Sequence, residues 1–313
     1  MQNPLVHILL ATYNGGKFIR EQLDSLFTQT FQDFTILIRD DGSSDDTLNI
    51  LSEYQQKFPG RIQWIRDDQK NAGATQNFGI LLQHSNADHI FFCDQDDRWL
   101  NDKMEKELEK IRALEKDDPS VPCMVFSDMK LMDESGNILA DSAWKDLHLS
   151  PACFTLNRLL VQNIPHGCTL VINKAMRDLA SPLPAEAILH DHWIALLAAS
   201  CGKWDFIAEP TMLLRNHAQN VTRKPASFGA KLKRFSSNLF SGEAYEYFIR
   251  IRVAQARALQ KRCSGRLSGE QAALISDFTR LESTKGMARR KIFLRHKFFR
   301  TTFWHTAKMI LRA

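Results

Sequence analysis

The first hundred residues alternate between short apolar runs and segments in which apolar residues recur every three or four positions. Four runs have the length of buried strands: residues 5–11, 35–39, 62–65 and 89–93. Three intervening segments have the spacing of one-sided helices: residues 19–28, 45–58 and 74–83. Strict alternation of this kind predicts an α/β fold with a mostly parallel, doubly wound sheet and right-handed crossovers.

The pattern becomes less regular beyond residue 100. We expect a charged helix at residues 101–115, a strand with a hairpin at 125–138 and a further strand at 169–172. A helix from residue 174, a second helix at 191–199 and a late strand at 211–214 follow. Residues 223–229 have the composition of a linker, and everything after them has a helical pattern. We therefore predict an α/β domain over residues 1–222 and a helical C-terminal region over residues 223–313.

The net charge of +5 is unevenly distributed. Residues 229–313 contain 19 Lys and Arg against 5 Asp and Glu, out of 41 and 36 in the whole chain. The preceding residues are therefore acidic, with a net charge of −9. An acidic body with a basic tail indicates two separate tasks.

The six cysteines are scattered, and no pair has the Cys-x-x-Cys spacing of a zinc or redox site. Most lie among apolar neighbours, as reduced core cysteines do, which favours a cytoplasmic protein. The first residues, MQNPLVH, lack the basic and apolar regions of a signal peptide. No window approaches about 18 consecutive apolar residues, so we expect no transmembrane helix.

Residues 88–99, DHIFFCDQDDRW, place three carboxylates directly after a predicted buried strand. Ligands of open α/β sheets bind at the carboxyl ends of strands, and clustered carboxylates favour a hard cation such as Mg²⁺ or Mn²⁺. A solvated acidic loop would have the same composition. An EF-hand counted from Asp94 is rejected, because Arg98 takes a ligand position and Trp99 replaces the required glycine.

Three other polar segments follow predicted strands: residues 11–15, 40–47 and 71–77. Taken singly, each has an ordinary explanation as a turn or a helix cap. Because each follows a strand of the same sheet, together with Asp94–Asp97 they predict one crevice at its carboxyl edge.

In this order, Thr12-Tyr13-Asn14, the run DDGSSDDT at 40–47 and Asp94-Gln95-Asp96-Asp97 resemble the motifs of glycosyltransferase family 2. The resemblance covers roughly residues 4–220 and implies the GT-A nucleotide-sugar fold. The segments CDQDDRW at 93–99 and LLRNHAQN at 213–220 are similar to bacterial rhamnosyltransferase-type enzymes that build surface polysaccharides.

The resemblance implies residues that bind the nucleotide-sugar: Thr12, Tyr13, Asn14, Asp41, Asn77, Asp94, Gln95 and Arg215. Thr12 and Tyr13 would line the base pocket, and Asp41 would accept a hydrogen bond from the imide N–H of uracil or thymine. Such an acceptor excludes bases that lack the donor. Asn77 would contact ribose or phosphate, and Arg215 a phosphate.

The resemblance also implies a divalent cation, Mn²⁺ or Mg²⁺, as cofactor. Asp96 would be its principal ligand, with Asp94 as a second ligand. His217 would complete the site, although a lone histidine is equally often an ordinary surface or core residue. The cation would bridge the donor diphosphate and neutralise the leaving group.

Asp191 opens a predicted helix, where an aspartate is commonly a helix cap. The resemblance implies instead that Asp191 is the general base that deprotonates the acceptor hydroxyl during an inverting transfer. Gly167 and Trp193 would lie on the acceptor side, with Trp193 stacked on the acceptor sugar.

Residues 285–312 combine apolar residues at helical spacing, among them Ile292, Phe299, Phe303 and Ile310, with many basic residues. This composition favours a helix lying on an anionic membrane surface. A helix packed on the catalytic domain and a dimer seam are the alternatives. Nucleic acid is a further partner of basic tails, but nothing else in the sequence supports it.

These expectations define an enzyme that moves a rhamnose-like sugar or hexose from a dTDP- or UDP-sugar to a lipid-linked glycan acceptor, in O-antigen or capsule synthesis. It would act in the cytoplasm, peripherally on the inner face of the plasma membrane. The alternative is a catalytically silent nucleotide-binding membrane adaptor. A dinucleotide-dependent dehydrogenase is disfavoured, because no G-x-G-x-x-G follows the first strand. The oligomeric state stays open.

Overall fold

The computed structural model of the chain describes residues 5–217 and 242–313. The expected linker at 223–229, the expected domain boundary at residue 222 and the final residues of the segment LLRNHAQN lie outside the described residues.

The first half of the chain has the predicted alternation of strands and helices. Its elements are β1 (Val6–Thr12), α1 (Ile19–Phe27), β2 (Thr35–Asp40), α2 (Thr47–Lys57), β3 (Ile62–Trp64), α3 (Ala74–His84) and β4 (His89–Cys93). The strands pair in parallel in the order β3–β2–β1–β4. Their carboxyl ends therefore meet at one edge of the sheet.

The second half completes the sheet. Its elements are β5 (Arg98–Trp99), α4 (Lys103–Glu115), β6 (Cys123–Met132), β7 (Ile138–Ala140), α5 (Ala143–Asp146), α6 (Leu156–Leu159), β8 (Leu170–Asn173), α7 (Lys174–Ala180), α8 (His190–Cys201) and β9 (Lys203–Arg215). The predicted hairpin is present as β6 and β7, and the predicted late strand is the end of the longer β9.

Strand β8 lies between β4 and β6 and runs antiparallel to both, whereas β9 runs parallel to β6. The sheet is therefore mixed beyond β4. The segment between β6 and β8 contains only two four-residue α-helices and lacks the long crossover helix that a parallel neighbour usually has. Because β8 is reversed, its amino-terminal end lies at the edge where β1, β2 and β4 finish.

Apolar side chains cover both faces of the sheet. Along β1, Ile8 and Leu10 belong to one buried cluster, with Leu23 of α1, while Leu9 belongs to a second cluster, with Phe78 of α3. A strand buried on both faces has a continuous apolar sequence, which is why the apolar runs in the sequence located these strands well.

The C-terminal region consists of α9 (Gly242–Arg262), α10 (Gly269–Thr279), α11 (Gly286–Arg295) and α12 (Phe303–Arg312). Its buried residues share one apolar cluster with α8: Tyr245, Ile249, Val253, Ala256, Leu259, Phe278, Phe293 and Phe298. The basic helical region is therefore confirmed, and its helices are packed on the α/β domain.

The expected membrane helix over residues 285–312 is divided in the structure. Residues 296–302 separate α11 from α12, and in α11 Arg289 is buried in an ion pair with Glu246. Exposed large apolar side chains remain at Phe303 and Trp304 of α12, which are 75% and 70% exposed. The prediction of one continuous interfacial helix is thus wrong, whereas α12 does have an exposed apolar surface.

None of the helices in residues 5–217 and 242–313 combines the length and the apolar content that crossing a bilayer requires.

Candidate active site

A cavity of about 780 Å³ opens at the sheet edge where β1, β2, β4 and β9 end and β8 begins. Most of the predicted site residues line it: Thr12, Tyr13, Asn14, Asp41, Asn77, Asp94, Gln95, Asp96, Gly167, Asp191 and His217. The structure therefore brings the nucleotide, metal and acid–base candidates together in one place.

The loops after β1 and β2 are tied to one another by side chains. Thr12 Oγ1 donates to Asp40 Oδ2 at 2.8 Å, and Asn14 Oδ1 accepts from the backbone N–H of Ser44 at 2.8 Å. Asn14 has φ 49°, in the left-handed region that asparagine tolerates better than most residues. These bonds give the cavity a fixed wall on this side.

Asp41 lies at the end of β2 and is only 4% exposed. Its Oδ1 accepts from Arg39 at 3.0 Å and from the N–H of Ala72 at 2.9 Å, and its Oδ2 accepts from the N–H of Gly73 at 2.8 Å. An ionised carboxylate accepts about four hydrogen bonds, so Asp41 keeps capacity for one more at the cavity wall.

Asn77, in the second turn of α3, is also buried. Its Nδ2 donates to the carbonyl oxygens of Thr12 and Arg39 at 3.4 and 3.3 Å, whereas its Oδ1 has no partner within the described chain. Asn77 lines the cavity, so this oxygen is an unused hydrogen-bond acceptor beside it.

Gln95 holds the loop after β1 to the loop after β4. Its Oε1 accepts from the N–H of Tyr13 at 2.8 Å, and its Nε2 donates to the carbonyl of Tyr13 at 2.9 Å. A Cβ at position 15 would lie 2.3 Å from Gln95 Oε1, so the close approach requires glycine there. Gln95 thereby presents the Tyr13 ring, which is 49% exposed, at the cavity mouth.

The carboxylates after β4 form an electrostatically strained cluster. Burial, followed by the charges of Asp96 and Asp191, raises the pKa of Asp94. Burial, followed by the charges of Asp96 and Asp94, raises the pKa of Asp97 well above its usual range. A cation bound here would favour the ionised forms of these carboxylates.

The donor set fits a hard divalent cation. Asp94, Asp96 and His217 all line the cavity, and His217 Nε2 lies 2.7 Å from Asp96 Oδ2. Carboxylate oxygens and an imidazole nitrogen suit Mn²⁺ or Mg²⁺. Since the imidazole already contacts the carboxylate, a cation held by both would replace that hydrogen bond.

Asp97 lies behind this cluster and is fully buried. Its Oδ1 accepts from the N–H of Arg215 at 3.0 Å, which joins the loop between β4 and β5 to the end of β9. Asp94, Asp97 and Cys168 also lie close enough together to form a metal-binding geometry. However, burial raises the pKa of the Cys168 thiol, and a protonated thiol is a poor ligand.

Asp191 lies in the first turn of α8 and lines the cavity. Its Oδ2 accepts from the backbone N–H of Gly167 at 2.9 Å, and its Oδ1 accepts from the N–H of His192 at 2.6 Å. Burial raises the pKa of Asp191 to about 7, although those two backbone hydrogen bonds act in the opposite direction. A carboxylate with a pKa near neutrality is suited to act as a general base.

The structure corrects the predicted role of Trp193. Its side chain is completely buried in the apolar cluster, and its Nε1 donates to the carbonyl of Ala180 at 3.2 Å. Trp193 does not line the cavity, so it does not stack on a sugar there. Helix α8 is buried on every side from His190 to Ala198, and its sequence therefore gave no signal of which face meets the cavity.

The predicted contact of Arg215 with a phosphate is also corrected. The guanidinium bonds to Glu21, and it donates to the carbonyls of Asp96 and Glu134 at 2.9 and 3.0 Å. Arg215 is 2% exposed and lies outside the cavity lining. Its contacts hold the loop that contains Asp96 against β9.

Several cavity residues were missed from the sequence. They are Phe18, Phe78, Asn163, His166, Leu189 and His190. Residues 163–168 precede β8, and the orientation of that strand is what brings them to this edge. His190 had a signal of its own, because it is adjacent to Asp191.

Comparison with known sequences identifies the family of the chain. The profile described as glycosyl transferase family 2 matches residues 7–177. The chain belongs to this family. The resemblance inferred from the motifs is thereby confirmed, and the protein is a glycosyltransferase.

Among curated relatives, the chain is 33% identical over 238 residues to "dTDP-rhamnosyl transferase RfbG" of Shigella flexneri, which covers 72% of this chain and 77% of the relative. It is also 33% identical over 138 residues to "Chondroitin synthase" of Escherichia coli, covering 44% of this chain but only 19% of that protein. The similarity to RfbG supports a rhamnosyltransferase-type enzyme.

Solved structures confirm the GT-A fold. S. aureus TarS 1–349 in complex with UDP superposes with a TM-score of 0.58 at 16% identity, covering 92% of this chain and 72% of that one. The mannosyltransferase PcManGT of Pyrobaculum calidifontis, in complex with GDP-Man and Mn²⁺, gives 0.52 at 15% identity, covering 94% and 84%. At such identities the likeness concerns the fold alone.

Proposed function

We propose that this glycosyltransferase moves a sugar from a dTDP- or UDP-sugar to a lipid-linked glycan acceptor, with inversion at the anomeric carbon. One observation carries the proposal. Asp191, a buried carboxylate whose pKa is raised to about 7, shares a single cavity with Asp94 and Asp96. The cavity thus combines a candidate base with a candidate diphosphate-binding centre.

The nucleotide would lie against β1 and β2. Asp41 keeps acceptor capacity for the imide N–H of uracil or thymine, and the exposed ring of Tyr13 offers a surface for the base. Asn77 Oδ1, an acceptor, matches a hydroxyl of the nucleotide's pentose, which is the 3′-hydroxyl in dTDP and either hydroxyl in UDP. RfbG is named for a dTDP-sugar, and TarS was solved with UDP and with UDP-GlcNAc. We propose dTDP-L-rhamnose as the first donor to test and UDP-hexoses as the second.

A divalent cation, Mn²⁺ or Mg²⁺, would be held by Asp94, Asp96 and His217. When bound, it would neutralise the diphosphate that leaves with the nucleotide. The contact between His217 and Asp96, the position of all three side chains in the cavity lining and the raised pKa of Asp94 support this part of the proposal.

Asp191 would accept the proton of the acceptor hydroxyl as that oxygen attacks the anomeric carbon. The bond between the anomeric carbon and the diphosphate oxygen breaks in the same step, and the electron pair leaves with the nucleotide. Because the hydroxyl attacks opposite the leaving group, one base suffices and the configuration inverts. Gly167 orients Asp191 for this role through its backbone N–H.

The acceptor would be an intermediate of O-antigen or capsule synthesis on the cytoplasmic leaflet. Phe303, Trp304 and Leu311 of α12 are all at least 70% exposed, and the C-terminal region is strongly basic. Apolar side chains beside basic residues suit the surface of an anionic membrane. We propose that α12 holds the enzyme there peripherally.

Calorimetric titration with dTDP, UDP, GDP and NAD, each with and without Mn²⁺, tests the donor proposal. We expect binding of dTDP or UDP that strengthens with Mn²⁺, and sugar transfer when the matching donor and a lipid-linked acceptor are supplied. Metal-dependent nucleotide binding without any transfer would favour the silent adaptor. Binding of NAD alone would contradict the proposal.

A further inference from the structure

His190 is a buried imidazole whose nitrogens have no hydrogen-bond partner in the part of the chain that the structure describes. The residue is 7% exposed and lines the cavity beside Asp191. Neither Nδ1 nor Nε2 has a hydrogen-bond partner among the residues that the structure describes. Leaving a buried polar atom unpaired costs about 1–3 kcal/mol. A ligand that supplies the missing partners would recover this free energy.

The ring is held firmly in place. It packs against Phe78, with ring centroids 4.1 Å apart, and against Phe92, with centroids 5.2 Å apart. The backbone of Gly167 approaches the ring so closely that a Cβ there would lie 2.5 Å from His190 Nε2. The imidazole is therefore preorganised, and glycine at position 167 makes room for it.

The imidazole is neutral at any pH at which the enzyme would work. Burial lowers the pKa of His190 to about 3. The positive end of the α8 dipole also disfavours a charged ring at this position. A neutral imidazole carries one N–H donor and one nitrogen acceptor.

This pairing of donor and acceptor selects the chemistry of the ligand. A phosphate oxygen accepts hydrogen bonds only, so it matches only the N–H of the ring, and the proposed position of the diphosphate is at Asp94, Asp96 and His217. A sugar hydroxyl both donates and accepts, so it matches either nitrogen of a neutral imidazole. The apolar rings around His190 likewise suit the carbon face of a sugar.

We propose that His190 binds a hydroxyl group of a sugar and thereby determines which sugar is held beside Asp191. This inference rests on the proposed function, because it assumes that the cavity receives a nucleotide-sugar. The hydroxyl belongs either to the transferred sugar of the donor or to the acceptor sugar, and the two sources are separated by experiment.

The test compares His190→Leu, which fills the space without polar atoms, with His190→Gln, which keeps a donor and an acceptor. His84→Leu, at an exposed histidine of α3, is the control. Calorimetry measures dTDP and dTDP-rhamnose separately, and steady-state kinetics measures the KM for the acceptor. A hydrogen bond of ordinary strength predicts an effect of about tenfold.

If the hydroxyl belongs to the donor, His190→Leu weakens the binding of dTDP-rhamnose about tenfold and leaves the affinity for dTDP unchanged. His190→Gln should then bind dTDP-rhamnose more tightly than His190→Leu does. If it belongs to the acceptor, donor affinities are unchanged and the acceptor KM rises by a similar factor. In both cases the Tm of His190→Leu is unchanged or raised, because unpaired buried nitrogens are removed.

The inference is overturned if His190→Leu changes neither the donor affinity nor the acceptor KM, or if it weakens dTDP and dTDP-rhamnose equally. A lowered Tm without a change in either binding constant would assign His190 a purely structural role. Failure of the wild-type chain to bind any nucleotide-sugar would instead overturn the proposed function, together with this inference.

Discussion

The backbone N–H of Gly167 donates to Asp191 Oδ2 at 2.9 Å, and this bond joins the turn before β8 to the first turn of α8. The same carboxylate receives the N–H of His192 on its other oxygen. Both donors are fixed by secondary structure, so the carboxylate is oriented before any acceptor arrives. Its environment leads to the first three predictions.

Asp191→Asn should abolish transfer while keeping donor binding, because the amide oxygen can still accept from Gly167 but the group no longer takes up a proton. We expect kcat to fall by about 10²–10⁴-fold. Removing a buried charge should also increase the free energy of unfolding by about 1 kcal/mol, which corresponds to a rise in Tm of roughly 2–4 °C. Asp178→Asn, at an exposed position of α7, is the control. Turnover retained in Asp191→Asn would exclude the base role.

The pH profile should report Asp191. Its pKa is raised to about 7, so kcat should rise with pH and level off above that value. Measurement with saturating Mn²⁺ keeps Asp94 ionised, which separates the two carboxylates. A flat profile between about pH 5.5 and about pH 8 would contradict the assignment.

The same shift affects stability. The folded-state pKa of Asp191 lies above the ordinary value of 3.8, so its contribution to stability is full below about pH 4 and is lost as the pH rises through about 7. The Tm advantage of Asp191→Asn should therefore grow from about pH 5 to about pH 8. Thermal denaturation of both proteins across this range is the measurement.

Removing a proposed metal ligand should separate nucleotide binding from its metal dependence. In Asp96→Asn and His217→Ala we expect the enhancement of dTDP binding by Mn²⁺ to be lost, with the metal-independent component retained. Asp102→Asn, at the start of α4, is a control with an exposed carboxylate. Titration of Mn²⁺ followed by electron paramagnetic resonance measures the site directly, and unchanged Mn²⁺ affinity would remove these ligands from the site.

Membrane binding should depend on α12 and not on the packed helices before it. Phe303→Ser with Trp304→Ser should lower partition onto anionic vesicles by about tenfold or more, since burial of each aromatic ring is worth about 1.5–3 kcal/mol. Transfer to a soluble acceptor analogue should be unchanged. Equal vesicle binding by the double variant and the wild type would contradict the proposal. If the wild type is a dimer and the double variant a monomer, α12 would instead form a dimer seam.

Truncation at residue 285 would be a poor substitute for that experiment. It would remove Phe293 and Phe298, which are completely buried in the shared apolar cluster. Loss of vesicle binding would then be inseparable from loss of the fold.

Gln255 of α9 should be important although it lies outside the cavity. Its Oε1 accepts from the N–H of Ile188 at 2.8 Å, and its Nε2 lies 3.3 Å from His192 Nδ1. Gln255→Leu leaves the partly buried N–H of Ile188 without its partner, at a cost of up to about 1–3 kcal/mol. We expect a lower Tm and a lower kcat with an unchanged affinity for dTDP. Exposed Gln83→Leu is the control, and an unchanged kcat would show that α9 does not position α8.

The sequence predicted those parts of the site that follow buried strands. Cys93 ends a continuous apolar run, so the position of Asp94 and Asp96 at the sheet edge was accessible from the pattern alone. The part of the site around Gly167 was harder to predict, because β8 runs antiparallel to β4. The turn before β8, which contains Gly167, therefore reaches the sheet edge from the other direction. Nothing in a four-residue apolar run specifies its direction.

Two side chains could not be placed from their motifs. Trp193 lies on a helix that is apolar all round, so periodicity could not distinguish a core position from a cavity position. Arg215 has a long side chain, and its guanidinium turns back to Glu21 and the loop at Asp96. Which partner such a group chooses depends on packing between elements far apart in the sequence.

The packing of α9 on the start of α8 has a consequence for engineering chimeric enzymes. A hybrid that joins the α/β domain of this chain to the C-terminal helices of a relative would separate Gln255 from the Ile188 and His192 that it contacts. Exchange of acceptor specificity between relatives should therefore succeed when α8 and α9 are transplanted as one unit. Crossovers placed between them should yield proteins that bind the donor and turn over slowly.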